Sequence, residues 1–228
     1  MARRARRGAR PRPPGHDVTR EAIRTGLRAG HAAAFPWHRP EVPHPELGTP
    51  DAWWAALEPL LVGAYRHVGV RADEAAEAAA LVRETFTDPR AWSVFPDTRS
   101  ALVRVRTAGR RTIVLSNHVP ELPRLVRDLG LDDLIDDVLT SAATGYEKPN
   151  PAMYRLALQR AGAAEDVWMI GDNPVADVAG ARAVGIRALL VRTPDGSGTV
   201  RGLDEAVDIV LAAPGSEPPR ARRDQGSP

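Results

Sequence analysis

Beyond Thr112 the sequence alternates short apolar runs with helix-like stretches, and this alternation constrains the fold more than any other feature. The runs are "RTIVLSNH" (a strand over Thr112 to Leu115), "DDVLTS", "DVWMI", "IRALLV" and "AVDIVLA". Between them lie "VPELPRLVRDLGL", "NPAMYRLALQRAG" and "PVADVAGARAVG", and residues 97–109 read as a preceding helix that stops at Gly109. Brief apolar strands separated by helices of about ten residues predict a parallel sheet with crossover helices, hence an α/β fold.

The chain upstream has a different character. From Val18 to about Pro89, alanine, leucine and charged residues dominate, as in "VTREAIRTGLRAGHAAA", "PDAWWAALEPLLVGAYRHVGV" and "ADEAAEAAALVRETFTD". The proline-rich "FPWHRPEVPHPELGTP" separates the first of these helices from the second, and Asp51 after Pro50 gives a cap signal. A small all-helical unit without strands is expected there. The organisation read from the sequence is a disordered basic extension over 1–15, a helical unit over 16–90, an α/β core over 91–213 and a loose tail over 214–228.

Charge sharpens this division. The total is +2, yet residues 1–15 hold six arginines and no acid, and the tail from Ser216 carries one further net positive charge, so the body is near −5. An acidic body gives no reason to expect nucleic-acid binding. The head lacks aromatic residues among its arginines and lacks a following apolar segment, so it reads as an extension rather than a signal peptide. No apolar stretch approaches the roughly 18 residues needed to cross a membrane. The absence of cysteine excludes disulfides, thiolate metal sites and a thiol nucleophile, and fits a cytoplasmic protein. Of 31 basic residues only Lys148 is a lysine, which suggests a position that needs a compact ammonium rather than a planar guanidinium.

Ligands of open parallel sheets bind beyond the carboxyl ends of the strands. Ser116 and Asn117 follow the first strand, Lys148 lies near the second, and Gly171, Asp172, Asn173 and Asp177 follow the third. A hydroxyl, an ammonium and two carboxylates on one rim suit a phosphoryl group with Mg²⁺, which prefers hard oxygen ligands. Taken singly, Ser-Asn is commonly only a turn and a helical Asp is commonly solvated. His118 shares the rim as a weak candidate general acid. Trp37, Trp53 and Trp54 are candidates for a substrate pocket, although aromatic residues in small helical units usually form core.

The order "VLSNH … GYEKPNPAMY … IGDNPVADVAGARAVG" resembles the haloacid dehalogenase-like hydrolase superfamily, in the subfamily whose helical cap precedes these motifs; the resemblance spans about residues 16–212. It implies a Rossmann-like three-layer core under an all-helical cap. It implies that Ser116 and Asn117 bind phosphate, that Lys148 neutralises the phosphoryl group and the attacking carboxylate, and that Asp172 and Asp177 help hold Mg²⁺. The implied activity is Mg²⁺-dependent hydrolysis of a small phosphorylated metabolite, with neither nucleic acid nor membrane as partner.

One implied element is not found. The superfamily's first motif is an apolar strand ending in Asp-x-Asp, whose first Asp attacks phosphorus while the second serves as acid and base. The nearest candidate, Asp17 in "GHDVTREA", follows "RPRPPG" and offers one carboxylate, so no nucleophile is identified. The resemblance places that strand centrally, between those ending at Leu115 and Ile170; its loss should leave a gap unless the two close up. An N-terminally truncated chain, inactive for want of that motif, is the leading expectation. A non-catalytic phosphate- and metal-binding relative is the alternative. A metal-independent 2-haloacid dehalogenase ranks lower, since it has no use for a metal-binding carboxylate pair.

Overall fold

A computed structural model describes residues 2–4, 19, 21–22, 25, 35–162, 166–193 and 198–213. The expected first helix, 18–34, lies almost wholly outside them, as do most of the basic head, Asp17 and the tail. In the helical part, α1 (Pro50–His67) and α2 (Ala72–Thr87) pack side by side. Thr49, rather than Asp51, caps α1: its hydroxyl accepts from the Ala52 amide at 3.3 Å, with Pro50 at the first helical position and Asp51 in the first turn. Trp53, Trp54 and Leu57 turn inward with Phe35, Val119 and Ala142 to form the core beneath this part.

The α/β part runs β2 (Trp92–Val94), α3 (Thr98–Thr107), β3 (Ile113–Ser116), α4 (Leu122–Asp128), β4 (Asp137–Thr140), α5 (Ser141–Thr144), α6 (Pro151–Arg160) and β5 (Trp168–Gly171). A π-helical turn, Pro174–Ala179, then leads into α7 (Gly180–Arg182), β6 (Arg187–Leu190) and α8 (Leu203–Ala212). The expected parallel pairing is observed, β3 with β4 and β5 with β6. Side chains alternate between the two faces of the strands. Ile113, Leu115, Leu139, Met169, Ala188 and Leu190 pack with α6 and α7 on one face. Val114 and Val138 pack with α3 and α4, and Trp168, Ile170 and Leu189 with α8, on the other. The four strands therefore share one layer between two helical layers.

Two expectations need correction. "AVDIVLA" is not a strand but the greater part of α8. Leu203, Ala206, Val207 and Val210 recur at helical spacing toward the core while Asp204, Glu205 and Asp208 fall between them; the apolar run read alone concealed that period. Within the basic head, Ala2–Arg4 is not loose: it forms β1, antiparallel to β2, because Trp92–Val94 presents an unpaired edge in extended conformation.

The layer is interrupted. Among the described residues β3 and β5 do not pair with each other, and the strands form separate two-stranded ladders. Thr112 gives its carbonyl to Asp136, and Gly171 gives its carbonyl to Val191. Alternation along each strand then turns the carbonyls of Ile113, Leu115, Trp168 and Ile170 away from their partners, toward the gap. Burial agrees: all four residues of β5 are only half-buried, while Ala188 and Leu189 of β6, farther out, are buried. Inner strands of a covered parallel sheet are ordinarily the most enclosed.

Candidate active site at the carboxyl end of the gap

Ser116 closes β3 and is buried. Asn117 turns its side chain toward the loop carrying Lys148. Its Nδ2 donates to the Lys148 carbonyl at 2.9 Å, and its Oδ1 accepts from the Lys148 amide at 2.7 Å. One amide side chain thus satisfies both backbone groups of Lys148 and fixes where the lysine leaves the main chain. The Lys148 side chain, 8% exposed, donates from Nζ to the Leu115 carbonyl at 2.7 Å and to Asp177 Oδ1 at 2.6 Å. The first acceptor is one of the carbonyls turned toward the gap, so the ammonium takes the place of a strand amide there.

Asp177 arrives by a different route. Asn173 caps the π-helical turn, its Oδ1 accepting from the Val175 and Ala176 amides at 3.0 and 2.8 Å. The turn brings Asp177 back over the end of β5, where its Oδ2 accepts from the Asn173 amide at 2.9 Å. Gly171 makes this possible: a methyl group at that position would overlap the Asp177 carboxylate. The roles of Gly171 and Asn173 were missed in the sequence. The Asn-Pro pair opening the helix was the available signal for the cap; nothing local marked the glycine.

The structure thus brings together Asn117, Lys148 and Asp177, with Ser116 adjacent in the chain. It does not bring in Asp172, which is solvent-exposed. Both Asp177 oxygens are occupied, one by an ammonium, and among the described residues no three metal-ligating side chains converge. In this arrangement the two carboxylates do not converge: Asp172 is exposed, and Asp177 is ion-paired with Lys148.

His118 is enclosed by Phe86 and Trp92, with ring centroids at 5.3 and 5.6 Å. Burial lowers its pKa to about 4, so at neutral pH the ring is neutral rather than the imidazolium that a general acid of this kind uses. Trp53 and Trp54 are buried core residues, and Trp37 stacks on Phe35 at 4.5 Å.

A family model for haloacid dehalogenase-like hydrolases matches residues 3–185. The chain is 32% identical to a bovine haloacid dehalogenase-like hydrolase domain-containing protein 3 over 180 residues, 77% of this chain and 70% of the relative. It is 36% identical to a phosphoserine phosphatase of Thermus thermophilus over 143 residues, 61% of this chain and 57% of that protein. Among solved structures, a 2-haloacid dehalogenase from Pseudomonas syringae aligns with a TM-score of 0.56 and 26% identity, covering 86% of this chain and 81% of its own. The three-layer parallel core, the helical part above it and the extent of these matches agree: the chain belongs to the haloacid dehalogenase-like hydrolases.

Proposed function

We propose that the site hydrolyses a phosphomonoester of a small metabolite, with the attacking carboxylate carried by a strand seated between β3 and β5. The observation that carries this reading is the Lys148 ammonium. It is buried and fixed by two acceptors, at the carboxyl end of a gap whose flanking carbonyls lack strand partners among the described residues. A cation held there neutralises a carboxylate entering along the gap and the phosphoryl oxygens it attacks. Attack forms an acyl phosphate and breaks the ester P–O bond; the leaving alkoxide takes a proton from a neighbouring acid, and water then hydrolyses the acyl phosphate. Ser116 and the amides after β3 face the phosphoryl oxygens in this reading, and residues 16–90 act as the cap over the core, 91–213.

Mg²⁺ belongs to this reading through the resemblance. It requires Asp177 to exchange its lysine for the metal, with Asp172 and a further carboxylate from the gap completing an oxygen shell. A cytoplasmic location, with no nucleic-acid or membrane partner, completes the proposal. No helix among the described residues is long and apolar enough to cross a membrane.

A second reading has a specific observation in its favour. The sequence argument against a 2-haloacid dehalogenase was the carboxylate pair, yet Asp177 is ion-paired with Lys148 rather than free for a metal. One experiment separates the readings. The chain is assayed alone and after fusion to an apolar strand ending in Asp-x-Asp, against an aryl phosphate with Mg²⁺ and against 2-chloropropionate. The proposal expects phosphate release from the fused chain only, abolished by Lys148→Ala. Chloride release would establish the dehalogenase. Silence toward both would favour a non-catalytic binding protein.

A further inference from the structure

Lys148 is held on one side by Asn117; on the other, the residues around it are gripped by the helical part. Glu147 points away from the site and is 1% exposed, facing His44, which is 5% exposed, with Nε2 to Oε1 at 3.4 Å. The His44 amide donates to the Gly145 carbonyl at 2.9 Å, and Asn150 Nδ2 donates to the Pro40 carbonyl at 2.9 Å. Gly145, at φ +75°, lies so close to Pro45 that a Cβ there would stand 2.8 Å from the proline Cα. Trp53 of α1 closes the far side, its ring centroid 5.6 Å from that of His44. Residues 145, 147 and 150, which bracket the lysine, are therefore all seated on residues 40–45.

Burying a carboxylate and an imidazole beside each other is costly unless they pair. Among the described residues Glu147 Oε2, both His44 ring nitrogens and Trp53 Nε1 have no hydrogen-bond partner, so the 3.4 Å approach of His44 to Glu147 is a charge contact rather than a hydrogen bond, and it is the compensation available at this point. A pair so placed adds little to a core that apolar side chains would fill better. It does set the position of the main chain immediately before Lys148.

We infer that residues 39–48 form a positioning clasp for Lys148, with His44 and Glu147 as its closing contact. The clasp makes the docking of the helical part a condition for the ammonium to sit on Leu115 and Asp177. His44 and Glu147 are positioning residues; neither reaches the reacting atoms. The inference holds whichever substrate the site takes.

Because Lys148 is the sole lysine, acetylation by acetic anhydride, read by peptide mass spectrometry, reports on this one ε-amine, with the α-amine as internal standard. In the intact chain Lys148 should be protected. His44→Ala and Glu147→Ala should each accelerate its acetylation at least about tenfold by favouring local opening. Glu147→Gln, which keeps the shape and one acceptor, should restore most of the protection. Leu125→Ala, in a separate core cluster, serves as a comparison with lowered thermal stability and an intact clasp, and should leave Lys148 protected. If His44→Ala does not fold, Asn150→Asp carries the test: it keeps the acceptor that caps α6 and removes the donor to Pro40. Wild-type acetylation rates in the clasp variants, or equal acceleration in Leu125→Ala, would overturn the inference.

Discussion

The gap between β3 and β5 is bridged at both ends by ion pairs, and the two bridges differ in kind. At the amino ends, Arg110 and Arg187 converge on Asp166, and Arg187 also lies over the Trp168 ring at 4.2 Å. The Arg110 and Asp166 side chains are 17% and 18% exposed. At the carboxyl ends, Lys148 meets Asp177 with side chains 8% and 7% exposed. The lower bridge uses guanidinium forks that share one carboxylate near water, as a surface clamp does. The upper bridge uses a point charge that donates to two acceptors, the Leu115 carbonyl and Asp177. The single lysine of an arginine-rich chain stands at the more enclosed of the two bridges.

The comparison breaks most directly by deleting each cation in turn. Lys148→Met leaves a buried carboxylate without its partner and should cost about 3–5 kcal/mol in urea unfolding. A loss below about 1 kcal/mol would show that the upper bridge is no more enclosed than the lower. The carboxyl end should also be acid-sensitive through His118, whose pKa falls from 6.5 when unfolded to about 4 when folded. Folding favours the neutral ring, so its stabilising effect is complete above pH 6.5 and is lost as pH falls from 6.5 toward 4. Between pH 7 and pH 4.5 this amounts to about 2–3 kcal/mol. His118→Phe should remove that component, and equal acid losses in both proteins would refute it.

Gly171→Ala should cost about 1–3 kcal/mol, because the new methyl group and the Asp177 carboxylate compete for one volume. Proton NMR should show the lysine–aspartate contact disturbed; an unperturbed spectrum would contradict the tight seat. Arg110→Met at the lower bridge should cost only about 1 kcal/mol, with Arg187 still holding Asp166. The smallest expected effect is that of Mg²⁺. Millimolar Mg²⁺ should leave the melting temperature of this chain unchanged, since a ligand that does not bind the folded state cannot stabilise it. A clear upward shift would mean that Asp177 gives up its lysine more readily than the geometry implies.

Much of this was legible in the sequence because it depends on local pattern. The parallel pairs followed from apolar runs separated by helices, and the gathering of Asn117, Lys148 and Asp177 followed from strand ends. The helix at 203–212 was misread because a seven-residue apolar window hides a period that ten residues reveal. The partner choice of Asp177 was not legible. It depends on Gly171 having no side chain and on a π-helical turn, and neither leaves a periodic trace. The His44–Glu147 contact joins residues about a hundred positions apart, beyond the reach of any pattern argument.

The two strand pairs also bear on how the chain folds. Ile113 pairs with Asp137 and Trp168 pairs with Arg187, so each parallel ladder closes over a short stretch of sequence with its own crossover helix. Short-range ladders form quickly, because little loop entropy is lost before contacts are gained. Backbone hydrogen bonds run within each ladder, and none joins the two among the described residues. The halves should therefore behave as separate cooperative units under native conditions, with amides of β3–β4 and β5–β6 exchanging with distinct opening energies. An enclosed sheet is ordinarily among the last elements to open; distinct opening energies for the two ladders would draw a line of opening through its middle, across the apolar cluster they share.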